Sequence, residues 1–318
     1  MMTTPDWQPS ADMPLLRARA QLYAQLRTFF AERRVLEVEV PLLARAAATD
    51  PHIDSISASV CGELLYLQSS PEFFLKRLLA AGSGDIYSLG KAFRNGEAGR
   101  RHNPEFTMLE WYRLGWDDQQ LMDEVEALIV RFCAPSGISR CSYRDLFERH
   151  LGIDPHKADA EQLSMLARQH IDADWQDNDR DVWLDLLMTH VIEPAMGEGL
   201  VFVYDFPETQ AALARVQPDE QGQSVAKRFE AYVRGVELAN GYFELTDAEE
   251  QASRFCRDIE QRKRLGLPLY RSDEKLVQAL NSGLPDCAGV ALGVDRLLML
   301  SSDCDDIRRS LAFAFERI

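Results

Sequence analysis

One hairpin constrains this chain more than any other stretch. Phe229-Glu230-Ala231-Tyr232-Val233 and Val236-Glu237-Leu238-Ala239 are runs of strand formers separated only by Arg234-Gly235. Strands so close together must pair antiparallel, because a parallel pair needs a long crossover. Arg234-Gly235 is then the tight turn, which sets Val233 against Val236, Tyr232 against Glu237 and Glu230 against Ala239. Further strands are read at Val35 to Val40, ending at Pro41, at Leu64 to Gln68, Asp85 to Phe93, Glu105 to Arg113, Val201 to Tyr204 and Ala288 to Leu292. Strands mostly follow strands. The expected class is α+β, a mostly antiparallel sheet flanked by helices.

The helices have clear signals. Leu15, Leu22, Leu26, Phe29 and Phe30 share one side of a helix from Leu15 to Arg33. Pro71 to Ala81 is a helix with proline in its first turn. Asp117-Asp118 caps a helix carrying Leu121, Val125, Leu128 and Phe132. Thr246-Asp247-Ala248-Glu249 reads as a capping box opening a helix that stops near Gly266 and Pro268. Val294 to Leu300 is a last helix. Residues 135–195 are helical in pattern, acidic and poor in strand formers, so a helical insertion is expected there. Its crowd of Asp172, Asp174, Asp177, Asp179, Asp181 and Asp185 reads as a solvated face and not as a metal site.

Charge and cysteine usage narrow the function. The net charge of −16 lowers the expectation of a grip on long nucleic acid, which uses a basic face. Cys61, Cys133, Cys141, Cys256, Cys287 and Cys304 show neither C-x-x-C nor zinc-finger spacing, and read as reduced thiols. No apolar run is long enough to span a bilayer, and no secretory signal is visible, so a cytoplasmic enzyme is expected.

Three segments carry chemistry. Residues 91–113 hold five Lys/Arg against three Glu in an otherwise acidic chain. Two strands joined by a loop of glycines and arginines suit a polyphosphate, since arginine grips phosphate oxygens bidentately; an ordinary charged hairpin is the alternative. In the second segment, Glu230 and Glu237 are diagonal neighbours on one face of the hairpin, close enough to share an ion. Oxygen ligands beside ATP suit Mg²⁺. Asn240, Tyr242 and Glu244 alternate onto a face that could bind an ammonium group. The odd spacing from Glu237 to Asn240 requires a bulge, expected at Asn240-Gly241. A solvent-facing strand edge competes with that reading. The third segment runs from the small-residue strand Ala288-Gly289-Val290-Ala291-Leu292-Gly293 into a helix with Arg296 in its first turn. It could set a cation beside a phosphate, though such glycines also serve plain packing.

Taken together, the segments resemble the three signature motifs of class II aminoacyl-tRNA synthetases, most closely the lysyl type. His102-Asn103-Pro104-Glu105-Phe106-Thr107-Met108-Leu109-Glu110 and Glu237-Leu238-Ala239-Asn240-Gly241 are lysyl-like, as is Ile307-Arg308-Arg309 to Phe315. The resemblance implies the class II synthetase catalytic fold, a homodimer built on the first helix and strand, and ATP and Mg²⁺ as cofactors. It implies that Arg94 meets the α-phosphate of ATP and Arg296 the γ-phosphate side, as the two catalytic groups. Asn95, Gly96, His102, Asn103, Phe106, Glu237 and Leu238 would complete the ATP site, with Phe106 on adenine, and Glu230 and Glu237 would hold the metal. Ser70, Pro71, Ala291 and Gly293 would line the amino-acid site, Glu72 would meet the amino group near the reacting carboxylate, and Glu110, Tyr112, Asn240, Tyr242 and Glu244 would surround the side-chain ammonium.

Some positions depart from the family. Lysyl-tRNA synthetases carry an N-terminal anticodon-binding OB-fold. Here the first motif begins near residue 15, so a single catalytic domain over 1–318, with no anticodon-binding domain and no productive tRNA binding, is expected. Ser70 and Ala291 stand where the lysyl enzymes usually have alanine and glycine, changes that alter selectivity by about 1–3 kcal/mol. The pattern is similar to that of stand-alone relatives of the lysyl enzymes, which join (R)-β-lysine to a lysine side chain of elongation factor P, so (R)-β-lysine or lysine is the expected amino acid. A truncated aminoacyl transferase and an amino-acid-sensing pseudoenzyme are the alternatives. The second motif usually reads Arg-Asn-Glu, but here Gly96 separates Asn95 from Glu97.

Overall fold

The computed structural model describes residues 7–172 and 177–318. In chain order the first half runs α1 (Met13–Glu32), β1 (Leu36–Glu37), β2 (Leu43–Ala44), β3 (Ser57–Val60), β4 (Glu63–Leu67), α2 (Glu72–Ala80), β5 (Ile86–Phe93), β6 (Glu105–Leu114) and α3 (Asp118–Phe132). There follow β7 (Ile138–Ser142), α4 (Tyr143–Leu151), α5 (Ala160–His170), α6 (Arg180–Leu187), α7 (Glu193–Ala195), β8 (Leu200–Pro207) and β9 (Val216–Pro218). The chain closes with β10 (Ser224–Val233), β11 (Val236–Phe243), α8 (Ala248–Arg264), α9 (Glu274–Asn281), β12 (Cys287–Gly293), α10 (Val294–Ser301) and α11 (Ile307–Ser310).

The central sheet has the order β1-β5-β6-β12-β11-β10-β8-β7, with β9 pairing β10. Its inner pairs are antiparallel, while the end pairs β1–β5 and β7–β8 are parallel. Strand alternation divides its faces. Leu109 and Trp111, Ala288, Val290 and Leu292, and Phe229, Ala231 and Val233 point into one core shared with Leu22, Leu26, Phe29 and Phe30 of α1 and Leu121, Val125 and Leu128 of α3. Each of the Leu, Val and Phe side chains among them, fully buried, contributes about 1.5–3 kcal/mol. The opposite face is covered at one end by α2, α8 and α9, through Leu75, Leu79, Phe255 and Leu276. At the other end α4, α5 and α6 cover it, through Phe147, Leu163, Trp183 and Leu184. Its middle is left for the site.

Several expectations are corrected. Residues 135–195 are helical apart from β7, an edge strand of mostly exposed residues that pairs β8 and which a burial pattern could not announce. The strand expected over Val35 to Val40 pairs as a strand only at Leu36–Glu37, with one further bond from Val38 N to the Tyr87 carbonyl. The cap of α8 is Asp247, whose carboxylate accepts from Glu249 N and Glu250 N, and not Thr246. Asp117 does cap α3, in a reciprocal box with Gln120. In the acidic run, Asp172 and Asp177 are exposed, but Asp179 caps α6, Asp181 accepts from Thr209 and Asp185 from Gln210. Asp174 lies outside the described residues.

The hairpin has its predicted turn, with φ of 53° at Arg234 and 66° at Gly235, and Val233 faces Val236 and Tyr232 faces Glu237. The bulge falls earlier than expected. Ala231 pairs Ala239 and Glu230 pairs Asn240, so Leu238 is the extra residue and the shift is complete before Asn240-Gly241. Glu230 thus faces Asn240 rather than Ala239.

Candidate active site

That bulge aligns the site. One row of register runs Glu110–Ala291–Asn240–Glu230 across β6, β12, β11 and β10. The next runs Tyr112–Gly289–Tyr242–Arg228. β12 offers only Gly289 and Ala291 here, leaving space above the floor. A Cβ on Gly289 would lie 2.3 Å from the Tyr112 ring and 2.5 Å from Glu244 Oε1. Above the rows opens a cavity of about 860 Å³. It reaches from Arg94, Phe106, His102 and Arg296 at one end to Glu72, Glu110 and Glu244 at the other.

At the cationic end, α10 positions Arg296. Asp295 is buried and accepts from Arg19 at 2.5 Å and from Thr107 N at 2.6 Å, fixing the first turn of α10 to α1 and β6. Arg296 Nη1 donates to the Glu237 carbonyl at 2.8 Å and lies 3.4 Å from Glu237 Oε2, and Nη2 lies 2.8 Å from His102 Nε2. The Arg94 guanidinium sits 5.3 Å from the Phe106 ring centroid and 3.7 Å from Glu97. Gly96, at φ 76°, turns the loop, and Glu97 reaches the cavity wall that Gly96 itself does not line. Asn103 binds the C-terminal segment instead of standing alone: its Oδ1 accepts from Phe315 N at 3.0 Å.

Glu237 opens to the cavity, with Glu230 on the same face of the hairpin. Glu230 is buried, held by Arg228 and by the Tyr232 hydroxyl. Burial, with Glu237 adding to it, raises the Glu230 pKa against the pull of Arg228. Nearby Glu193 is pushed up to about 7 by burial and then by Glu230 and Glu237. Among the described residues no three acids, histidines or cysteines are grouped to hold a metal. Glu237, which lines the cavity, fits Mg²⁺, an ion that keeps only one or two protein carboxylates when phosphates supply further oxygens; both Glu230 oxygens are engaged, by Arg228 and by Tyr232, and one must be released for Glu230 to join it.

The acidic end is assembled from distant elements. Glu110 has both oxygens engaged, by Ser70 Oγ at 2.6 Å and the Tyr112 hydroxyl at 2.8 Å. Ser70 Oγ also accepts from Glu72 N at 3.0 Å, tying the start of α2 to β6. Burial, then the Glu72 charge, raises the Glu110 pKa; burial raises that of Glu244, opposed by Lys76. Burial and Glu110 likewise keep Tyr112 protonated. Asn240 Oδ1 and both amide atoms of Gln251 are buried in the wall without a protein hydrogen-bond partner. Such atoms suit a ligand that satisfies them.

Most residues assigned from the sequence line this one cavity. Pro71, Asn95, Gly96 and Glu230 do not. Asn95 is instead bonded through its side-chain amide to Asp54 at 2.6 Å. Three wall or support residues were missed. Arg228 shares Glu230's face two residues earlier, a signal that strand parity contains. Gln251 lies one turn into a helix and looks like surface. Lys76 follows Glu72 by one helical turn, yet it is buried at 1% exposure with its ammonium 2.7 Å from Glu72 and 2.6 Å from Glu244. Glu72 and Glu244, assigned from the sequence to different amino groups of the ligand, both contact this resident cation.

This sheet carries an arginine-lined end and an acidic end on one face. Residues 8–317 match the family model for class II tRNA synthetases of the D, K and N group, and the chain belongs to that family. Among curated relatives, one from Yersinia enterocolitica named elongation factor P–(R)-β-lysine ligase is 48% identical, with 100% of each chain covered. Proteins of the same name from Haemophilus influenzae strain PittGG and Vibrio cholerae are 46% and 47% identical, over 98% of each chain for the first, and 99% of this chain and 100% of the relative for the second.

Proposed function

We propose that this chain is an ATP-dependent ligase that activates (R)-β-lysine as its adenylate and transfers it to a lysine side chain of elongation factor P. The observation that carries the reading is the single cavity joining Arg94 and Arg296 to Glu72, Glu110 and Glu244. The name and near-complete coverage of the relatives support the choice of substrate and acceptor.

In the first step a carboxylate oxygen of the amino acid attacks the α-phosphorus of ATP, and the bond to the bridging oxygen breaks to release pyrophosphate. Arg94 and Arg296 bind and offset the phosphate charge, and the acidic end fixes the amines so that the carboxylate points toward Arg94. Glu230 and Glu237 would hold Mg²⁺, which supplies positive charge to the phosphates. In the second step a neutral amine of the acceptor attacks the acyl carbon. An amide forms, AMP leaves with the bonding electrons, and the amine loses a proton.

The reading extends to one catalytic domain, residence in the cytoplasm and a homodimer without productive tRNA binding. Among the described residues no helix is long and apolar enough to cross a membrane. The described cysteines are all free thiols. ATP–pyrophosphate exchange with each lysine isomer tests the first step. Exchange should depend on the amino acid and fall by about 10²–10³ in Arg296→Ala; exchange untouched by that change would remove the assigned role.

A further inference from the structure

We infer that Lys76 is a positioning residue for the amino acid: a resident ammonium that clamps Glu72 and Glu244 and sets the charge of the acidic end so that it accepts two substrate ammonium groups. The inference rests on the functional reading above.

Three observations carry it. First, Lys76 Nζ lies 2.7 Å from Glu72 Oε1 and 2.6 Å from Glu244 Oε2, which leaves the other oxygen of each carboxylate for the cavity both residues line. Second, Glu244 Oε1 lies over Gly289 beside the Tyr112 ring, on the side of the substrate floor. Third, the local charges do not balance. Glu72 on α2, Glu110 on β6 and Glu244 beyond β11 face one another, and Lys76 is the cation among them. Arg215 touches the Glu244 backbone but is paired with Asp286. Tyr112, Tyr242 and Cys287 are kept protonated, chiefly by burial. With all three carboxylates ionised, less one ammonium, the site carries two negative charges; without a ligand, burial lets Glu110 and Glu244 hold protons instead. A monoammonium ligand leaves one uncompensated, and buried charge of that kind is strongly disfavoured. Removing Lys76 lets the remaining acids repel one another and hold protons instead of the substrate.

Calorimetric binding on the full chain tests this, with α-lysine and (R)-β-lysine as diammonium probes and 6-aminohexanoate and norleucine as monoammonium ones. Lys76→Met should weaken diammonium binding by about tenfold or more and leave ATP binding unchanged. Lys76→Ala should be rescued by added ethylammonium, which a merely structural role would not permit. Unchanged diammonium binding, or a folded Lys76→Ala variant that ethylammonium does not rescue, overturns the inference. Should the variants not fold, the wild type still decides. Between about pH 6 and 8.5 a diammonium ligand must displace from the acids a proton that a monoammonium ligand leaves in place, so the monoammonium affinity should fall relative to the diamines by up to about tenfold per pH unit as pH rises. Parallel pH profiles, or no binding of either diamine, overturn it. Exchange is read separately: absent exchange with this binding pattern intact sinks the ligase reading alone, whereas exchange without the pattern sinks the role of Lys76 alone.

Discussion

His102 Nε2 and Arg296 Nη2 lie 2.8 Å apart, and because arginine only donates, the histidine nitrogen is the acceptor. His102 is therefore neutral in this contact. Burial, then the Arg296 charge, holds its pKa below the usual histidine value. The unfolded chain thus takes up the proton first as pH falls. This contribution to stability is complete above about pH 6.5 and is lost as pH drops toward the lowered folded value. The melting temperature of the unliganded protein should fall more steeply on acidification in the wild type than in His102→Gln. Equal slopes would contradict the assignment.

Glu110 has the opposite sign. Its pKa is raised, so the folded state holds a proton that the unfolded state has lost, and stability declines as pH rises from about 4.5 through the raised value. Glu110→Gln removes that decline. Its melting temperature relative to the wild type should increase from pH 5 to pH 8, about the span over which the carboxyl ionises. A constant difference would show that Glu110 is ionised throughout.

Gly289 is the tightest point of the floor. Gly289→Ala places a methyl 2.3 Å from the Tyr112 ring and 2.5 Å from Glu244 Oε1, both buried groups with little room to retreat. Overpacking of this kind costs about 1–3 kcal/mol. Chemical denaturation should show that loss, and the KM for the amino acid should rise more than the KM for ATP.

Ser70 bridges Glu110 and Glu72, and Ala291 lies between Glu110 and Asn240 in the register. Ser70→Ala with Ala291→Gly deletes a hydroxyl and a methyl from the wall of the amino-acid site. The ratio of kcat/KM for (R)-β-lysine over α-lysine should fall, by a factor corresponding to about 1–3 kcal/mol. An unchanged ratio would place selectivity elsewhere.

Local chemistry explains what could be read from the sequence. The Arg234-Gly235 turn was legible because a two-residue loop between strand formers has few solutions. Phe106, Glu110 and Tyr112 were legible as one face by strand parity alone. The bulge at Leu238 was required by the spacing of Glu237 and Asn240, but its position depends on how β11 pairs with β10, which no local pattern contains. β7 escaped because an exposed edge strand buries only one residue, Cys141, deeply enough to leave a signal. Lys76 escaped for a different reason. A lysine one turn after a glutamate reads as a surface ion pair, and only Glu244, remote in sequence, turns it into a buried cation. The acidic run misled in part, since Asp181 and Asp185 are drawn into contacts with Thr209 and Gln210 that sequence spacing does not show.

The most direct measurement is intact-mass analysis of elongation factor P after incubation with this protein, ATP, Mg²⁺ and (R)-β-lysine. The account predicts a gain of one lysyl unit on one lysine side chain, dependent on ATP and lost in Arg296→Ala. Unmodified elongation factor P, with the activated amino acid appearing on lysine tRNA, would contradict it.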